Sequence, residues 1–223
     1  MNEHILTLAR ENAPCYLYEY GIMKAQLETL RQTFPQYDLL YSIKANPFPP
    51  VVRALAALGL GADAASAPEV LLSRTCGMAK EDIFFSAAGK SDAALEAAWD
   101  GGEIIADSLG EVARIGALCR RKGQRRAIGV RMNPAFGMGG GAGTSSKFGI
   151  NEEDLPQLKA LLDDLPVTVE GIHVHLKSQN LDADVLGGCY RDSWALAKRV
   201  QAALDCEMRY VNFGSGVGVA YDA

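Results

Sequence analysis

Short apolar runs alternate with amphipathic segments through most of this sequence, and that alternation constrains the fold more than any other feature. Seven runs have the length and composition of buried strands. The first four recur about every 20 to 22 residues, which is the length of one strand–helix unit. The alternation predicts parallel strands covered by helices. The predicted strands are residues 39–43, 61–65, 83–86, 103–106, 127–132, 169–175 and 209–213.

The segments between the strands carry helix signals at their starts. Two open with S-x-x-E directly after a predicted strand, at Ser66 with Glu69 and at Ser108 with Glu111, which is the pattern of a capping box. Asn151 is a candidate cap for a helix over residues 155–165, which has Pro156 in its first turn. Earlier in the chain, helices are predicted over residues 50–58, 68–76, 92–99 and 111–122.

Seven strands without a clear break favour a barrel, although an open doubly wound sheet would also fit the alternation. We therefore predict an α/β fold of the (β/α)8 TIM-like type, with about seven of its units in residues 23–223. Residues 15–20 are strand-like but precede the first unit, so residues 1–22 are assigned to a strand segment of a separate β-domain. Residues 137–146 are dense in glycine and predict a mobile loop.

Composition argues against several kinds of partner. The net charge of −5 is mild and its signs are interspersed, which speaks against nucleic acid or an anionic membrane. No run of about 18 apolar residues occurs, so no membrane-spanning helix is expected, and the first ten residues lack the pattern of a secretory signal. The five cysteines are scattered and form no C-x-x-C pair. We therefore expect neither disulfides nor a metal site, and a reducing cytoplasm.

One lysine, Lys44, lies at the end of an apolar strand just before an Asn-Pro turn, in residues 41–47 (YSIKANP). Burial would lower the pKa of this lysine and make it a nucleophilic amine suited to a Schiff base. The alternative is an ordinary lysine whose stem packs at a strand end while its amine stays in water. Without other information the ordinary lysine is favoured.

Two of the three histidines, His173 and His175, lie close together in residues 171–179 (GIHVHLKSQ). In a strand, residues two apart share a face, so both rings are expected on one side. A metal would need a third ligand, and no partner motif is evident. One ring could instead lie flat against an aromatic cofactor. A core histidine with its hydrogen bonds satisfied is the simpler interpretation, and it fits His173 better than His175.

Residues 212–218 (NFGSGVG) form a glycine-rich turn after the last predicted strand. Its backbone N–H groups could form a nest for a phosphate, although a tight turn is the simpler interpretation. Other polar residues lie near the carboxyl ends of strands, which is the catalytic face of barrel enzymes. They are Asp63, Glu69, Asp107 and Arg131.

Taken in order along the chain, these motifs resemble the fold-type III pyridoxal-phosphate (PLP) decarboxylases, which act on diaminopimelate, ornithine or arginine. The resemblance rests on residues 16–18 (YLY), 41–47, 61–69 (GADAASAPE), 131–134 (RMNP), 146–150 (SKFGI), 173–179 and 214–216. It implies an alanine racemase-like barrel with an added C-terminal β-domain and a homodimer in the complete protein. The eighth strand, with a glutamate for the pyridine nitrogen, and that β-domain do not occur in this sequence.

The resemblance also implies roles for individual residues. Lys44 would carry PLP as a Schiff base and His175 would stack on its ring, so that an amino-acid substrate could lose CO₂. The remaining cofactor-binding residues would be Asp63, Arg131, Ser178, Gly214, Ser215 and Gly216. Two departures stand out, because Lys177 and Ser215 occupy positions where this family usually has glycine. The loops at residues 86–90 and 137–141 are closer to decarboxylases of specialised pathways.

Three other interpretations compete with an amino-acid decarboxylase. A PLP carrier or homeostasis protein is a single barrel of about this length, but the motifs at residues 41–47 and 173–179 favour a decarboxylase. An inert decarboxylase homologue that acts through protein contacts would not need an intact Lys44 and His175. An alanine racemase shares the barrel but fits the segment 173–178 less well.

Overall fold

The computed structural model describes residues 3–144 and 146–221, and it is an α/β structure in which strands and helices alternate. The strands are β1 (Leu40–Ser42), β2 (Gly61–Ala64), β3 (Ile83–Phe85), β4 (Glu103–Ala106), β5 (Arg126–Asn133), β6 (Ile150–Asn151), β7 (Val167–His173) and β8 (Tyr210–Asn212). The helices are α1 (Glu3–Asn12), α2 (Tyr20–Thr33), α3 (Pro49–Ala57), α4 (Ala67–Thr75), α5 (Asp92–Ala97), α6 (Leu109–Lys122), α7 (Leu155–Asp164) and α8 (Ala183–Leu204).

The strands form one parallel sheet in the order β1-β2-β3-β4-β5-β7-β8, and the two-residue β6 pairs with β5. All seven predicted strands are therefore confirmed, and their sequence order is also their spatial order. The sheet is curled, because the rings of Phe84 on β3 and Tyr210 on β8 are 5.0 Å apart although β4, β5 and β7 lie between those two strands on the sheet path. The result is a half-barrel of the predicted TIM-like type.

Glycine on two strands makes room for the tyrosine ring inside the curl. A Cβ at Gly171 would lie 2.3 Å from the Tyr210 ring, and one at Gly129 would lie 2.3 Å from its hydroxyl oxygen. The outer layer consists of helices whose apolar faces pack on the strands, and the largest buried cluster joins β4, β5 and β7 to α6, α7 and α8. This packing covers the outer face of the sheet, and because the strands are parallel, their carboxyl ends meet at one rim.

Both predicted capping boxes are present. They differ from the standard box in that each glutamate side chain bonds the residue before the cap rather than the cap residue itself. The hydroxyls of Ser66 and Ser108 accept from the backbone N–H of Glu69 and Glu111, at 3.3 and 3.2 Å. Each glutamate side chain reaches back to the residue before the cap, where it accepts from the N–H of Ala65 or Asp107. The boxes therefore fix the residues that directly follow β2 and β4, and they also start α4 and α6.

Residues 15–19 lie in no strand here, α2 begins at Tyr20, and Tyr16 is 90% exposed. Because the predicted strand is assigned to a different sheet, the assignment of residues 1–22 to a separate β-domain stays a prediction. One local prediction is wrong. Asn151 does not cap α7, because a 3-10 turn over Glu152–Asp154 intervenes and the Asn151 amide donates to the Asp154 carboxylate at 3.0 Å. Pro156 does lie in the first turn of α7.

No helix in the described part of the chain is long and apolar enough to cross a membrane. All five cysteines lie within that part and all are free thiols. Among the described residues, no three histidine, cysteine or acidic side chains are grouped in a way that could hold a metal ion.

Candidate functional site

Lys44 lies in a 3-10 turn, Ile43–Ala45, immediately after β1. The Asn-Pro sequence shapes this turn, because the Asn46 side chain accepts from the N–H of Phe48 at 3.1 Å and the Asn46 carbonyl accepts from the Tyr41 hydroxyl at 3.3 Å. The Lys44 side chain is exposed at the rim. Of the two interpretations of Lys44, the exposed strand-end lysine is the one that the structure matches, and its side chain is accessible to a ligand at the rim.

Asp63 on β2 lies at the same rim, beside β1, the strand that precedes Lys44. Parallel register pairs Asp63 with Ser42 on β1 and with Phe84 on β3. Its carboxylate accepts from the Ser42 hydroxyl at 3.3 Å and from the Ser86 hydroxyl. Two hydroxyl donors hold this half-buried carboxylate in one orientation.

Arg131 on β5 forms the next part of the rim. Its Nη1 lies 3.4 Å from the carboxylate of Asp107, which follows β4 directly and is buried. The guanidinium also lies over the Phe148 ring, 4.8 Å from its centroid. A cation held by a carboxylate on one side and an aromatic face on the other keeps a fixed position.

His173 is the last residue of β7 and is 7% exposed. It pairs in register with Arg131 on one side and with Asn212 on the other. Its Nδ1 atom is buried and has no hydrogen-bond partner among the described residues. Burial lowers the pKa of this imidazole to about 3, and the positive charge of Arg131 acts in the same direction. The histidine predicted to be satisfied in the core is thus buried and neutral, with one ring nitrogen unpaired.

His175 lies beyond the end of β7, so the strand rule that would align it with His173 does not extend to it. Its Nδ1 donates to the Gly214 carbonyl at 2.9 Å, because a carbonyl oxygen can only accept. Its Nε2 is then the acceptor for the Ser178 hydroxyl at 3.3 Å. These two bonds fix the tautomer and orient the ring over the rim.

Residues 214–216 form the predicted glycine-rich turn, and all three have left-handed backbones, with φ of 62°, 56° and 90°. A Cβ at Gly214 would lie 2.4 Å from the Val174 carbonyl oxygen, and one at Gly216 would lie 2.5 Å from that of Lys177. The turn therefore packs directly against the His175–Ser178 segment. The N–H of Gly214 donates to Asn212, whereas those of Ser215 and Gly216 have no acceptor in the described structure.

A charged pair that the sequence did not suggest lies behind this rim. Lys90, in the segment after β3, is 2% exposed, and its amine lies 2.7 Å from the carboxylate of Glu111 on α6. Burial lowers the pKa of Lys90, and Glu111 opposes that shift. The only sequence signal for Glu111 was its capping box, and Lys90 gave none.

The measured contacts join the predicted residues in three groups rather than one. Asp63 belongs to the first, Arg131 to the second, and His175, Ser178 and Gly214 to the third. Among the described residues, no hydrogen bond or ion pair links Lys44 to these groups, and its positive charge makes a small contribution to the lowered pKa of His173. All the groups lie at the carboxyl ends of strands, which is the ligand-binding end of a parallel α/β sheet.

A cleft of about 650 Å³ lies elsewhere, at the opposite ends of the strands. Its walls include residues 162–169 and 204–206, together with Arg120, Arg125 and Lys159. It contains none of the predicted site residues. The shape of the surface therefore does not identify the rim as the functional site. The rim is identified by the chemistry of its residues.

Comparison with protein families gives one match that covers most of the chain. Residues 21–223 match the model described as pyridoxal-dependent decarboxylase, pyridoxal binding domain. The L-glutamyl-[BtrI acyl-carrier protein] decarboxylase of Niallia circulans is 31% identical over 220 residues, which are 95% of this chain and 51% of that protein. The diaminopimelate decarboxylase of Aquifex aeolicus is 29% identical over 227 residues, and the match covers 93% of this chain and 51% of that protein.

Solved structures show the same fold. Diaminopimelate decarboxylase from Helicobacter pylori complexed with L-lysine superimposes with a TM-score of 0.85 at 24% identity, and covers 99% of this chain and 58% of that one. A lysine/ornithine decarboxylase from Vibrio vulnificus complexed with putrescine gives a TM-score of 0.78 at 22% identity. This match covers 98% of this chain and 58% of that one. The chain spans about half the length of the curated relatives it matches.

Proposed function

Because the chain belongs to the pyridoxal-dependent decarboxylase family through its pyridoxal binding domain, we propose that its protein is an enzyme that decarboxylates an amino acid with PLP. The observation that carries this proposal is the turn at residues 214–216. Its two unengaged N–H groups, from Ser215 and Gly216, lie beside His175 and Ser178 at the strand ends. Backbone N–H groups in such a turn suit a phosphate.

The chemistry of the rim residues suits PLP. A phosphate would accept from the N–H groups of Ser215 and Gly216 and from the hydroxyl of Ser178. The absence of Cβ atoms at Gly214 and Gly216 is what lets the turn approach the His175 segment so closely. The unpaired, buried Nδ1 of His173 offers a hydrogen bond to a polar ring substituent or to an ordered water.

The remaining roles are assigned by position. Lys44, exposed at the end of β1, is proposed to form the Schiff base with PLP. His175 is proposed to stack on the cofactor ring, because its two hydrogen bonds lock the imidazole in place. Asp63 and Arg131 are proposed as supporting groups that would lie beneath or beside the ring, since each is held by its own partners.

PLP supplies an electron sink for the electron pair left on the substrate when CO₂ departs. The residues of this chain hold charged and polar groups in fixed positions for that chemistry. Arg131 gives a permanent positive charge that could bind a carboxylate, and the neutral His173 adds no further charge beside it.

For the substrate we propose an amino acid of the diaminopimelate type or one from a specialised pathway. The Aquifex relative is named for diaminopimelate, and the Niallia relative for a glutamyl group on a carrier protein. We further propose that the complete protein is a cytoplasmic homodimer. The free cysteines and the exposed apolar side chains before α2, among them Tyr16 and Leu17, support this assignment.

The test is cofactor binding followed by turnover. PLP added to the full-length protein is expected to give a visible absorbance band that Lys44→Ala abolishes. The matched control is Lys80→Ala, which removes an exposed lysine from the segment just before β3, at the other end of the sheet. The second step is CO₂ release from a panel of amino acids that includes meso-diaminopimelate. A Lys44-dependent band without CO₂ release from any member would favour a PLP carrier or an inert homologue instead.

A further inference from the structure

Lys90 is the most deeply buried cation at the rim. Its side chain and that of Glu111 are 0% and 1% exposed. The Lys90 amine meets three acceptors: the Glu111 carboxylate at 2.7 Å, the Ala87 carbonyl at 2.6 Å and the Ile105 carbonyl at 2.5 Å. An ammonium group has three N–H donors. The two carbonyls are hydrogen-bonded to it, and the Glu111 carboxylate adds an ion pair, although Glu111 Oε1 has no hydrogen-bond partner among the described residues. The site therefore holds the lysine beside its counter-ion.

The pair also holds the end of β4. Lys90 donates to the carbonyl of Ile105, and the second carboxylate oxygen of Glu111 accepts from the N–H of Asp107 at 3.2 Å. The backbone on both sides of Ala106 is therefore tied to one ion pair. Asp107 is the next residue along the chain, and its own carboxylate contacts Arg131.

The corresponding box after β2 lacks such a lysine. Glu69 makes the same bond, to the N–H of Ala65 at 2.7 Å, but it is only partly buried and has no cationic partner among the described ion pairs. A capping box alone therefore ends β2 adequately. The added lysine at β4 coincides with the strand that supplies the carboxylate partner of Arg131.

Stability alone is a weak reason for a pair of this kind. Removing two charges from water costs free energy that their attraction in the interior often fails to recover, and apolar replacements can be equally stable. A buried pair that is hydrogen-bonded to the backbone on both of its members does fix one geometry, however. The requirement for a single geometry is greatest where a side chain must face a ligand.

We propose that Lys90 and Glu111 are positioning residues for Arg131, and that they act through Asp107. The ion pair fixes the backbone of Asp107, the Asp107 carboxylate orients the guanidinium, and the guanidinium then faces the cofactor and substrate. This inference rests on the proposed function, because it needs Arg131 to meet a ligand at the rim.

The test is a double-mutant cycle in the full-length protein, with PLP affinity as its readout. Lys90→Met with Glu111→Leu replaces both charges by apolar groups of similar size. In the wild-type background this change is expected to weaken PLP binding roughly tenfold, within the range of coupling found for residues in one network. In an Arg131→Lys background the same change is expected to weaken it less than twofold. The urea midpoint should move equally in both backgrounds.

Two variants serve as controls. Glu111→Gln removes the carboxylate charge with little change in volume, leaving Lys90 without its counter-ion, and is expected to weaken PLP binding in the same direction, again only when Arg131 is present. Glu69→Gln alters the box that lacks a lysine and should leave PLP affinity within twofold of wild type. Equal losses of affinity with and without Arg131 would overturn the positioning role. So would loss of the cooperative urea transition in both pair variants, because the pair would then serve the fold itself.

These outcomes remain separate from a failure of the proposed function. If the wild-type protein lacks a Lys44-dependent absorbance band, the proposed function fails. If the band is present but the cycle shows no coupling between the ion pair and Arg131, only the positioning role fails.

Discussion

Substituting Gly214 by alanine tests whether the turn at residues 214–216 must lie in direct contact with the His175 segment. Its backbone φ is +62°, a left-handed conformation that costs a residue with a Cβ about 1–2 kcal/mol. The new Cβ would also lie 2.4 Å from the Val174 carbonyl oxygen and 2.9 Å from the His175 Cβ. Neither atom is the end of a flexible side chain, so the turn and the segment must separate.

Gly123 supplies a matched control. It ends α6 with the same φ of +62°, but a Cβ there would meet nothing within 4 Å. Gly123→Ala should therefore cost only the conformational term, about 1–2 kcal/mol. Gly214→Ala should add a packing term of about 1–3 kcal/mol, giving roughly 2–5 kcal/mol in all.

The assay is urea denaturation of both variants, with PLP affinity measured beside it. Separation of the turn from the segment would disturb the His175 bond to the Gly214 carbonyl and the two N–H groups offered to phosphate. Gly214→Ala should thus lose PLP affinity as well as stability, whereas Gly123→Ala should bind PLP as the wild type does. Equal effects of the two substitutions on stability and on binding would refute the requirement for close contact.

Two further predictions concern buried charge. Lys90→Met should lower the free energy of unfolding in urea by about 3–5 kcal/mol, because it leaves the Glu111 carboxylate buried without its cation; a change below about 1 kcal/mol would show that the pair is not desolvated. The pKa of His173 is depressed from 6.5 to about 3, so the unfolded chain binds a proton there that the folded chain does not. Its contribution to stability should be complete above pH 6.5 and should decline as the pH falls toward 3. His173→Gln should flatten that part of the pH profile of the urea midpoint, and an unchanged profile would contradict the neutral, buried imidazole.

The strands were predictable because each is a compact apolar run bounded by turn signals, and a parallel sheet buried on both faces requires such runs. Asp63, which lies on β2, and His173, which ends β7, were placed at the carboxyl ends of their strands for that reason. The two-residue β6 escaped detection, because so short a pair carries no periodicity of its own. Residues 15–19 have a strand-like composition but no strand partner among the described residues, so their assignment to a separate sheet stays a prediction.

The sequence predicted which residues lie at the strand ends but not their environment. Lys44 is exposed, because β1 ends at Ser42 and the lysine lies in the turn beyond it, so the interpretation of a buried amine does not hold. Lys90 was passed over, because a lysine in a glycine-containing loop ordinarily remains in water. Only tertiary contacts from Ile105 and Glu111 bury it. Burial of this kind depends on where distant segments meet, which local sequence patterns do not encode.

The most direct test of the central claim, that PLP binds at this rim through Lys44, is to find where the cofactor attaches. The full-length protein is incubated with PLP, reduced with borohydride to make the linkage permanent, digested, and analysed by mass spectrometry for phosphopyridoxyl-lysine. We expect a single modified site at Lys44 that the Lys44→Ala variant lacks. Modification at Lys177 or at scattered surface lysines, with Lys44 unmodified, would contradict the claim.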